Sequence, residues 1–222
     1  MKKAAFRSAF RDTIPVLTGY VVLGMGFGIV MHANGYGFLW AVAMSLFIYA
    51  GSMQFAAIGL LTGGASMLTV ALTTLAVNAR HLFYGISMVE PYKGTGARKP
   101  YLIFALTDET YSLVCGENKG TDYNFCVSVL NQAYWVGGTA IGAVLGTALR
   151  FDTTGIDFAL TALFITVFVE QWLSSERHFS AIVGVVISVI SLLIFGSGSF
   201  LIPAMIGILA VLLLKMRKEG AQ

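Results

Sequence analysis

The feature of this sequence that most restricts its fold is the near-absence of charge over long stretches. Between Ile14 and Val89 the only formally charged residue is Arg80, and from Ser180 to Leu214 there is none. Of the 222 residues, 11% are charged and 57% are hydrophobic, whereas soluble domains are about a quarter charged. Such runs do not fit one water-soluble core, but they suit bilayer crossings of about 20 residues each. The sequence therefore predicts an all-α integral membrane protein.

Eight apolar runs are candidate membrane segments, separated by turn signals rich in Gly, Pro and Asn. They comprise residues 14–32, 38–61, 66–89, 101–115, 125–149, 156–173, 179–195 and 199–214. Ahead of them, Phe6 and Phe10 lie four apart among basic residues, so residues 1–13 are predicted to form an interfacial amphipathic segment. No long polar stretch interrupts the series, and we expect a single transmembrane domain over residues 1–222.

The distribution of basic residues leaves two topologies open. Half of the Lys and Arg lie at the chain ends, which predicts a cytoplasmic N-terminus by the positive-inside rule. The loop 90–100 is also basic, yet three apolar runs separate it from the N-terminus and five from the C-terminus. Either the rule fails and all eight runs cross, or one segment in each half enters and returns. The polar island at 48–55 and the short run 101–115 favour at least one discontinuous or re-entrant segment.

Glycines recur at an offset of 118 residues, which suggests an internal repeat with halves at about 14–115 and 125–214. The matches pair Gly19 with Gly137, Gly24 with Gly142, Gly28 with Gly146, and Gly37 with Gly155. Transporters are often built from two such repeats with the substrate site between them. The alternative is that glycines are common wherever membrane helices pack closely.

Several functional classes are disfavoured. The net charge of +3 comes from the chain ends, so it does not indicate a nucleic-acid partner. Cys115 and Cys126 lie apart from any His or second Cys at ligand spacing, so no metal or cofactor is predicted. The two cysteines either bridge the loop 116–125 or stay unpaired. His81 has no nucleophile at readable spacing, and we expect no enzyme.

The first polar cluster is residues 49–54, in the middle of run 38–61. Gly51 and Ser52 would let a helix unwind, and a half-helix beginning near Ser52 would offer backbone N–H groups to a carboxylate. The candidate substrate-binding residues here are Tyr49, Gly51, Ser52 and Gln54. The alternative is a close helix contact with Ser52 and Gln54 bonded across it.

The second cluster surrounds Arg80, the sole charge in its apolar stretch, which needs a partner or a water path. Arg80 would neutralise a buried acid or hold a substrate carboxylate, and His81 would carry a proton. Asn78 and His81 are three apart and Arg80 and Tyr84 four apart, so each pair would share a helix face. Asn78 and Tyr84 are further substrate-binding candidates. The alternative is that Arg80 snorkels toward the headgroups.

The third cluster places Asp108 and Glu109 side by side in the run 101–115. Two adjacent acids in an apolar segment cannot both be ionised cheaply, so one is expected to accept a proton and act in proton coupling. One of them would instead pair with Arg80. The alternative is that the segment does not cross and the acids cap an interfacial helix.

These three clusters, in this order and spacing, resemble the AzlC family of branched-chain amino acid exporter subunits. The shared motifs are Tyr49–Phe55 (YAGSMQF), Asn78–Gly85 (NARHLFYG) and Thr107–Thr110 (TDET), with Arg11–Pro15 (RDTIP) and Gly26–Gly28 (GFG) before them. The resemblance covers essentially the whole chain and is most specific over residues 10–112. Met53 stands where the family pattern has a small residue, which would narrow or reshape a pocket.

The resemblance implies a large subunit that works with a small AzlD-like hydrophobic membrane subunit in the bacterial inner membrane. The pair would export leucine, isoleucine, valine and sometimes methionine, using the proton gradient. Such a zwitterion needs carboxylate donors from residues 51–54, an ammonium acceptor from Asp108 or Glu109, and an apolar surface. That surface would be supplied by Phe47, Phe55, Phe83 and Tyr84. A passive channel and a structural subunit of a heteromeric complex remain the alternatives.

Overall fold

The structure, a computed structural model, describes residues 3–115, 119–148, 165, 168–169, 172–173, 178–196 and 200–219. The chain divides into two compact units, 1–156 and 157–222. The predicted run 156–173 lies almost wholly outside the described residues.

Within those residues the first unit consists of helices joined by turns and contains no strand, and each predicted apolar run in it is found as helix. The helices are α1 (Lys3–Asp12), α2 (Ile14–Ala33), α3 (Phe38–Phe47), α4 (Gly51–Thr62), α5 (Met67–Val77), α6 (Arg80–Ser87), α7 (Lys99–Phe104), α8 (Asp108–Val114) and α9 (Thr121–Ala148). Three of the runs are each broken into two helices, namely α3–α4, α5–α6 and α7–α8. The run 66–89 gave no sequence sign of its break at 78–79.

The core of the first unit is the contact between α2 and α9, which meet backbone to backbone. Gly138 faces Val21 and Gly142 faces Met25, so the contacts advance together and the helices run parallel. A Cβ on Gly138 would lie 2.6 Å from the Val21 carbonyl oxygen, which explains why only glycine fits there. Among the glycines matched at an offset of 118, Gly24, Gly28, Gly142 and Gly146 lie in this interface. The internal repeat itself stays a prediction.

The pair α3–α4 forms a hairpin that opens toward the C-terminal end of α9. Along α3, Ser45 bonds Thr139 and the Leu46 carbonyl accepts a hydrogen bond from Gln132, so α3 runs antiparallel to α9. The helix ends at Phe47, and α4 begins at Gly51 and runs back beside α2, where Phe55 packs on Phe27 at a ring distance of 5.4 Å. The helix is interrupted at 48–50, within the polar island, as the sequence predicted, and re-entry of this segment into a membrane stays a prediction.

The backbone at this reversal is unusual. Tyr49 has φ 45°, the one positive φ among the described non-glycine residues, and Ala50 has φ −133° and ψ 87°. A bulky residue in the left-handed region costs about 1–3 kcal/mol and persists only where its surroundings fix it. Tyr49 is 4% exposed, so tight packing holds this conformation.

The pair α7–α8 forms a second hairpin, which opens toward the start of α9. Just before α7, Arg98 pairs with Asp122 at 2.5 Å near the start of α9. Tyr101 of α7 donates a hydrogen bond to Gln132, which lies further along α9. The helix α8 then returns, because Val114 packs in a cluster with Cys126 and Val127. Both ends of the run 101–115 therefore lie at the same end of the first unit.

The tips of the two hairpins meet inside the unit. The rings of Tyr49 and Phe104 lie 6.1 Å apart, and Gly51 abuts the Trp135 ring in the middle of α9. Two half-helical hairpins that enter from opposite ends therefore face each other at mid-depth.

The pair α5–α6 connects the two ends of the unit. It starts after α4 and leads to the loop 90–100, whose Tyr92 packs in one cluster with Ala9 and Tyr123. Burial raises the pKa of Tyr92 to about 12. The basic loop therefore lies at the same end as α1.

The N-terminal helix α1 is fixed to this end by polar contacts. Asp12 accepts hydrogen bonds from the Tyr123 hydroxyl at 2.8 Å and the Lys119 ammonium at 3.0 Å. These two donors hold the pKa of Asp12 below its usual value. The predicted helix over the N-terminal residues is confirmed, and its interfacial location stays a prediction.

The second unit contributes two described helices, α10 (Phe179–Phe195) and α11 (Leu201–Glu219). They pack antiparallel, because Lys215 lies over the Phe179 ring at 3.7 Å and Gly207 meets Ile187. Among the described residues, α2 is the one helix whose length and hydropathy both meet the usual criteria for a membrane span, and shorter apolar stretches of 10–17 residues accompany it.

Candidate functional site

The first residues of three helices converge at the centre of the first unit. Arg80 Nη1 lies 2.7 Å from Asp108 Oδ2, and Arg80 Nη2 donates to Ser52 Oγ at 3.1 Å. Arg80 and Asp108 are the first residues of α6 and α8, and Ser52 is the second residue of α4. Each helix begins where an interrupted run resumes. The predicted half-helix start near Ser52 is thus found, and the predicted pairing of Arg80 with one of the acids is confirmed for Asp108.

The local sequence explains why α8 begins at this point. The Thr107 side chain caps the helix by accepting from the Thr110 backbone N–H at 3.3 Å. Asp108 and Glu109 then occupy the first turn, where the helix dipole favours negative charge. The two acids therefore lie at the start of a helix, near the capping role that the sequence left open for them, but the cap itself is Thr107.

The centre of the site carries polar atoms without partners. Buried side-chain atoms with no hydrogen bond among the described residues include Arg80 Nε, Asp108 Oδ1 and Asn78 Oδ1. The Arg80 and Asp108 side chains are otherwise 37% and 32% exposed. Buried polar groups are nearly always bonded, so one donor and two acceptors remain available here for another molecule.

Glu109 takes a different partner from its neighbour. Its Oε2 lies 2.5 Å from the Tyr20 hydroxyl of α2, which is also 2.8 Å from Thr107 Oγ1. Thr107 donates in turn to Thr110 at 3.0 Å, and Thr110 accepts from Asn131 of α9 at 3.0 Å. Of the two adjacent acids, Asp108 thus belongs to an ion pair, and Glu109 accepts from a chain of hydroxyl groups.

Gln54 is fully buried and both ends of its amide are in use. Its Nε2 donates to Ser45 at 3.0 Å, its Oε1 accepts from Trp135 Nε1 at 2.9 Å, and Ser45 bonds Thr139 at 2.8 Å. The network joins α3, α4 and α9 around the reversal at 48–50. Gln54 therefore holds the two half-helices in register, and its role as a substrate ligand stays a prediction.

The remaining predicted residues surround the same centre at different depths. Tyr49 lies at the hairpin tip, and Gly51 begins α4 under the Trp135 ring. Tyr84 stacks on Tyr111 of α8 at a ring distance of 4.4 Å. Asn78 and His81 were expected to share a helix face, and this prediction is wrong. The helix α5 ends at Val77, so Asn78 lies in the break between α5 and α6.

His81 has no acidic partner among the described residues. Its Nδ1 lies 3.2 Å from the Asn78 carbonyl oxygen, and its ring packs edge-on against Tyr84 at 5.7 Å. The Arg80 and Tyr84 pair does share one face of α6, as the four-residue spacing predicted.

The expected apolar surface is only partly brought to the site. Phe47 is 74% exposed and Phe83 is 63% exposed, whereas Phe55 is buried against Phe27. Met53 is also buried, at 4% exposure. Of the four residues expected to form the apolar surface, Phe55 and Tyr84 therefore pack within the first unit, whereas Phe47 and Phe83 are exposed.

Several residues of the site had no sequence signal. These are Tyr20, Ser45, Thr139 and Trp135, which are ordinary residues in apolar runs until the fold pairs them. Asn131 and Gln132 stood out as polar, but no local partner was visible. Cys115 is exposed and Cys126 is buried, and the two do not form a disulfide. The described residues hold no group of three or more His, Cys, Asp or Glu able to bind a metal ion.

The comparisons with known proteins agree on one family. The family model described as AzlC protein matches residues 15–149. A Bacillus subtilis protein named "Branched-chain amino acid transport protein AzlC" is 47% identical over 94% of this chain and 84% of its own length. An uncharacterised membrane protein of Helicobacter pylori strain J99 is 42% identical over 97% and 96% of the two chains.

A more distant relative, the inner membrane protein YgaZ of Escherichia coli, is 27% identical over 79% of this chain and 75% of its own. No solved structure matches the chain. Its relatives are named as membrane proteins, and its composition and helical fold agree with that location. This chain is a membrane protein of the AzlC family.

Proposed function

We propose that this protein is the large subunit of a secondary transporter that exports branched-chain amino acids across the bacterial inner membrane. Its substrates are leucine, isoleucine, valine and sometimes methionine, and inward proton movement drives export. A small AzlD-like hydrophobic subunit completes the transporter. The proposal is supported by the name of the Bacillus subtilis relative, which refers to branched-chain amino acid transport.

The observation that carries the substrate assignment is the set of unpaired polar atoms at the helix junction. An amino acid zwitterion has one carboxylate and one ammonium about 3 Å apart, so it needs donors and acceptors close together. Arg80 Nε and the backbone N–H groups at the start of α4 supply donors. Asp108 Oδ1 and Asn78 Oδ1 supply acceptors for the ammonium.

The order of the helices supports a specific membrane topology. With the N-terminus in the cytoplasm, α2, α5–α6 and α9 cross, α3–α4 enters from the outer side and returns, and α7–α8 enters from the cytoplasm and returns. The basic loop 90–100 is then cytoplasmic, as the positive-inside rule requires. Opposed half-helices that meet at the membrane midplane are a common way to build a substrate site.

The two acids divide their tasks in this proposal. Asp108 is held by Arg80 and receives the substrate ammonium in competition with that ion pair. Glu109 has no basic group within ion-pair distance among the described residues and bonds the Tyr20 hydroxyl instead, so it carries the coupling proton. Binding of a zwitterion between Arg80 and Asp108 would open the ion pair. Asp108 is the neighbour of Glu109 in α8, so this change would occur next to the residue that carries the coupling proton.

Export of preloaded amino acid tests the function. Cells lacking other exporters are loaded with a leucine-containing dipeptide, and leucine efflux is compared with and without the small neighbouring subunit. We expect partner-dependent efflux that Asp108→Asn and Arg80→Gln abolish at matched expression. Glu90→Gln is the control, because Glu90 is 77% exposed in a loop ion pair far from the site.

The outcomes separate the alternatives. Efflux that persists with an uncoupler and with Asp108→Asn would indicate a passive channel. Loss of complex yield before any loss of efflux would indicate a structural subunit. Wild-type cells that accumulate leucine, isoleucine and valine as fast as cells without the pair would contradict the proposed function.

A further inference from the structure

A stripe of buried polar side chains on α9 is not explained by the substrate site. Asn124, Ser128 and Asn131 are four and three residues apart, so they lie on one face of the helix. Their exposures are 4%, 0% and 0%. Each has a side-chain oxygen without a hydrogen-bond partner among the described residues, namely Asn124 Oδ1, Ser128 Oγ and Asn131 Oδ1.

Three unpaired oxygens on one helix face are too costly to be incidental. A buried acceptor or hydroxyl without a partner destabilises a protein, and water is the usual partner where protein groups do not supply one. A buried water needs two to four polar neighbours, which an aligned series of oxygens provides. The apolar alternative, which would remove the penalty, is present one position away at Val127.

The stripe also has a direction. Asn124 lies one turn inside the start of α9, at the end of the unit that carries Lys119 and Asp122. Asn131 lies about 10 Å deeper, from the rise of 1.5 Å per residue. There its amide nitrogen donates to Thr110, from which hydroxyls lead through Thr107 and Tyr20 to Glu109.

We infer that a file of bound water runs along this face of α9 from the cytoplasmic end to Asn131 and serves as the path by which protons pass between Glu109 and the cytoplasm. The water file follows from the buried oxygens alone, and its use by protons rests on the proposed function. From Glu109 a proton passes to the Tyr20 oxygen while the Tyr20 proton moves to Thr107, and so on through Thr110 to the water beside Asn131. Each oxygen gains one proton and loses one, so the chain needs no other reactant.

The groups around Glu109 are consistent with its role as the inner end of this path. The titratable groups that interact with it are Tyr20 of α2, Tyr49 at the α3–α4 reversal, Arg80 and Tyr84 of α6, and Asp108 of α8. Arg80 is the only cation in this set and is already paired with Asp108. Of the two acids in this set, Glu109 is therefore the one whose negative charge has no cation paired with it.

Cysteine labelling tests the water file without any transport measurement. In full-length protein with Cys115→Ser and Cys126→Ala, a single cysteine is placed at Asn124 or Ser128 and exposed in membranes to a small cationic methanethiosulfonate reagent. A thiol must be hydrated and ionised to react, so we expect labelling about tenfold faster than for Val127→Cys, which lies at the same depth in the apolar cluster. Equal rates at Ser128 and Val127 would overturn the inference.

Proton uptake into proteoliposomes that contain both subunits tests the use of the file. Ser128→Val removes the hydroxyl. Ser128→Thr is the matched control, because Thr has nearly the same size as Val but keeps the hydroxyl. We expect Ser128→Val to slow amino-acid-coupled proton uptake about tenfold or more, with Ser128→Thr close to wild type. Unchanged uptake in Ser128→Val would overturn the proton assignment. If the wild type moves no branched-chain amino acid, the proposed function fails, and the labelling rates still decide the water file.

Discussion

Arg80 and Asp108 join the first residues of two helices through an ion pair of 2.7 Å, although 27 residues separate them in the chain. Both are held where an interrupted helix resumes, and Ser52 adds a third such start. Where a helix is interrupted, backbone N–H and C=O groups lose their helical partners and charged side chains can lie in the interior. A continuous helix would place packed apolar side chains there. The charged motif residues therefore lie together because three breaks occur at one depth.

The Arg80–Asp108 pair is expected to be coupled in stability as well as in function. Arg80→Ala or Asp108→Ala alone leaves an unpaired charge at a partly exposed site, and each should lower the free energy of unfolding by about 1 kcal/mol. The double variant should lose less than the sum of the two. A double-mutant cycle on thermal melting measures the coupling, and the exposed pair Lys93 and Glu90 gives a control cycle near zero.

The glycine contact between α2 and α9 gives a sharp steric prediction. Gly28→Ala places a methyl group against the α9 backbone at Thr139 and should destabilise the protein by about 3 kcal/mol or more, because backbone atoms cannot move aside. Gly26→Ala, two residues away, meets open space and should be neutral or slightly stabilising. Thermal melting in detergent, followed by size-exclusion chromatography, compares the two. Equal melting temperatures would contradict the helix contact.

The Gln54 network is expected to set the rigidity of the hairpin α3–α4. Trp135→Phe removes the indole donor and leaves Gln54 Oε1 buried without its partner, which costs about 1–3 kcal/mol. Proteolysis or hydrogen exchange should then increase at residues 48–50. Trp172→Phe would be a poor control because Trp172 packs on His178. Trp40→Phe is better, since Trp40 is 66% exposed and should leave exchange unchanged.

The hairpin topology predicts which side of the membrane each loop faces. A cysteine at Lys93 should react only with reagent added from the cytoplasmic side, as should one at Lys3. A cysteine at Gly64, after α4, should react only from the outer side. If all eight apolar runs crossed the membrane, Lys93 would be on the side opposite to the N-terminus, and its labelling from outside would contradict the hairpins.

The contact of Asp12 with Tyr123 and Lys119 predicts a dependence of stability on pH. Because the pKa of Asp12 is lower in the folded protein than in the unfolded chain, its contribution is fully present above the unfolded value and is lost as pH falls through the folded value. The difference in melting temperature between wild type and Asp12→Asn should therefore be constant near about pH 6 and shrink toward zero below about pH 3. Glu90→Gln serves as the exposed control, and a difference that grows on acidification would refute the assignment.

Local composition was enough to predict the membrane class, the apolar segments, the polar clusters and one of the breaks. Each of these depends on local composition, since a long uncharged run or a Gly-Ser interruption is visible within one segment. The family motifs in residues 49–55, 78–85 and 107–110 likewise pointed to the site before any contact was known.

The partners of the individual polar groups became visible only in the fold. Asp108 and Glu109 are neighbours with the same chemistry, and only the positions of Arg80 and Tyr20 give them different partners. The sequence marked Gln54 as a polar candidate, and only the fold shows that Ser45 and Trp135 bond its amide. Hydrogen bonds at mid-depth join residues that are tens of positions apart, and the apolar pattern that drives membrane insertion carries no information about those pairings.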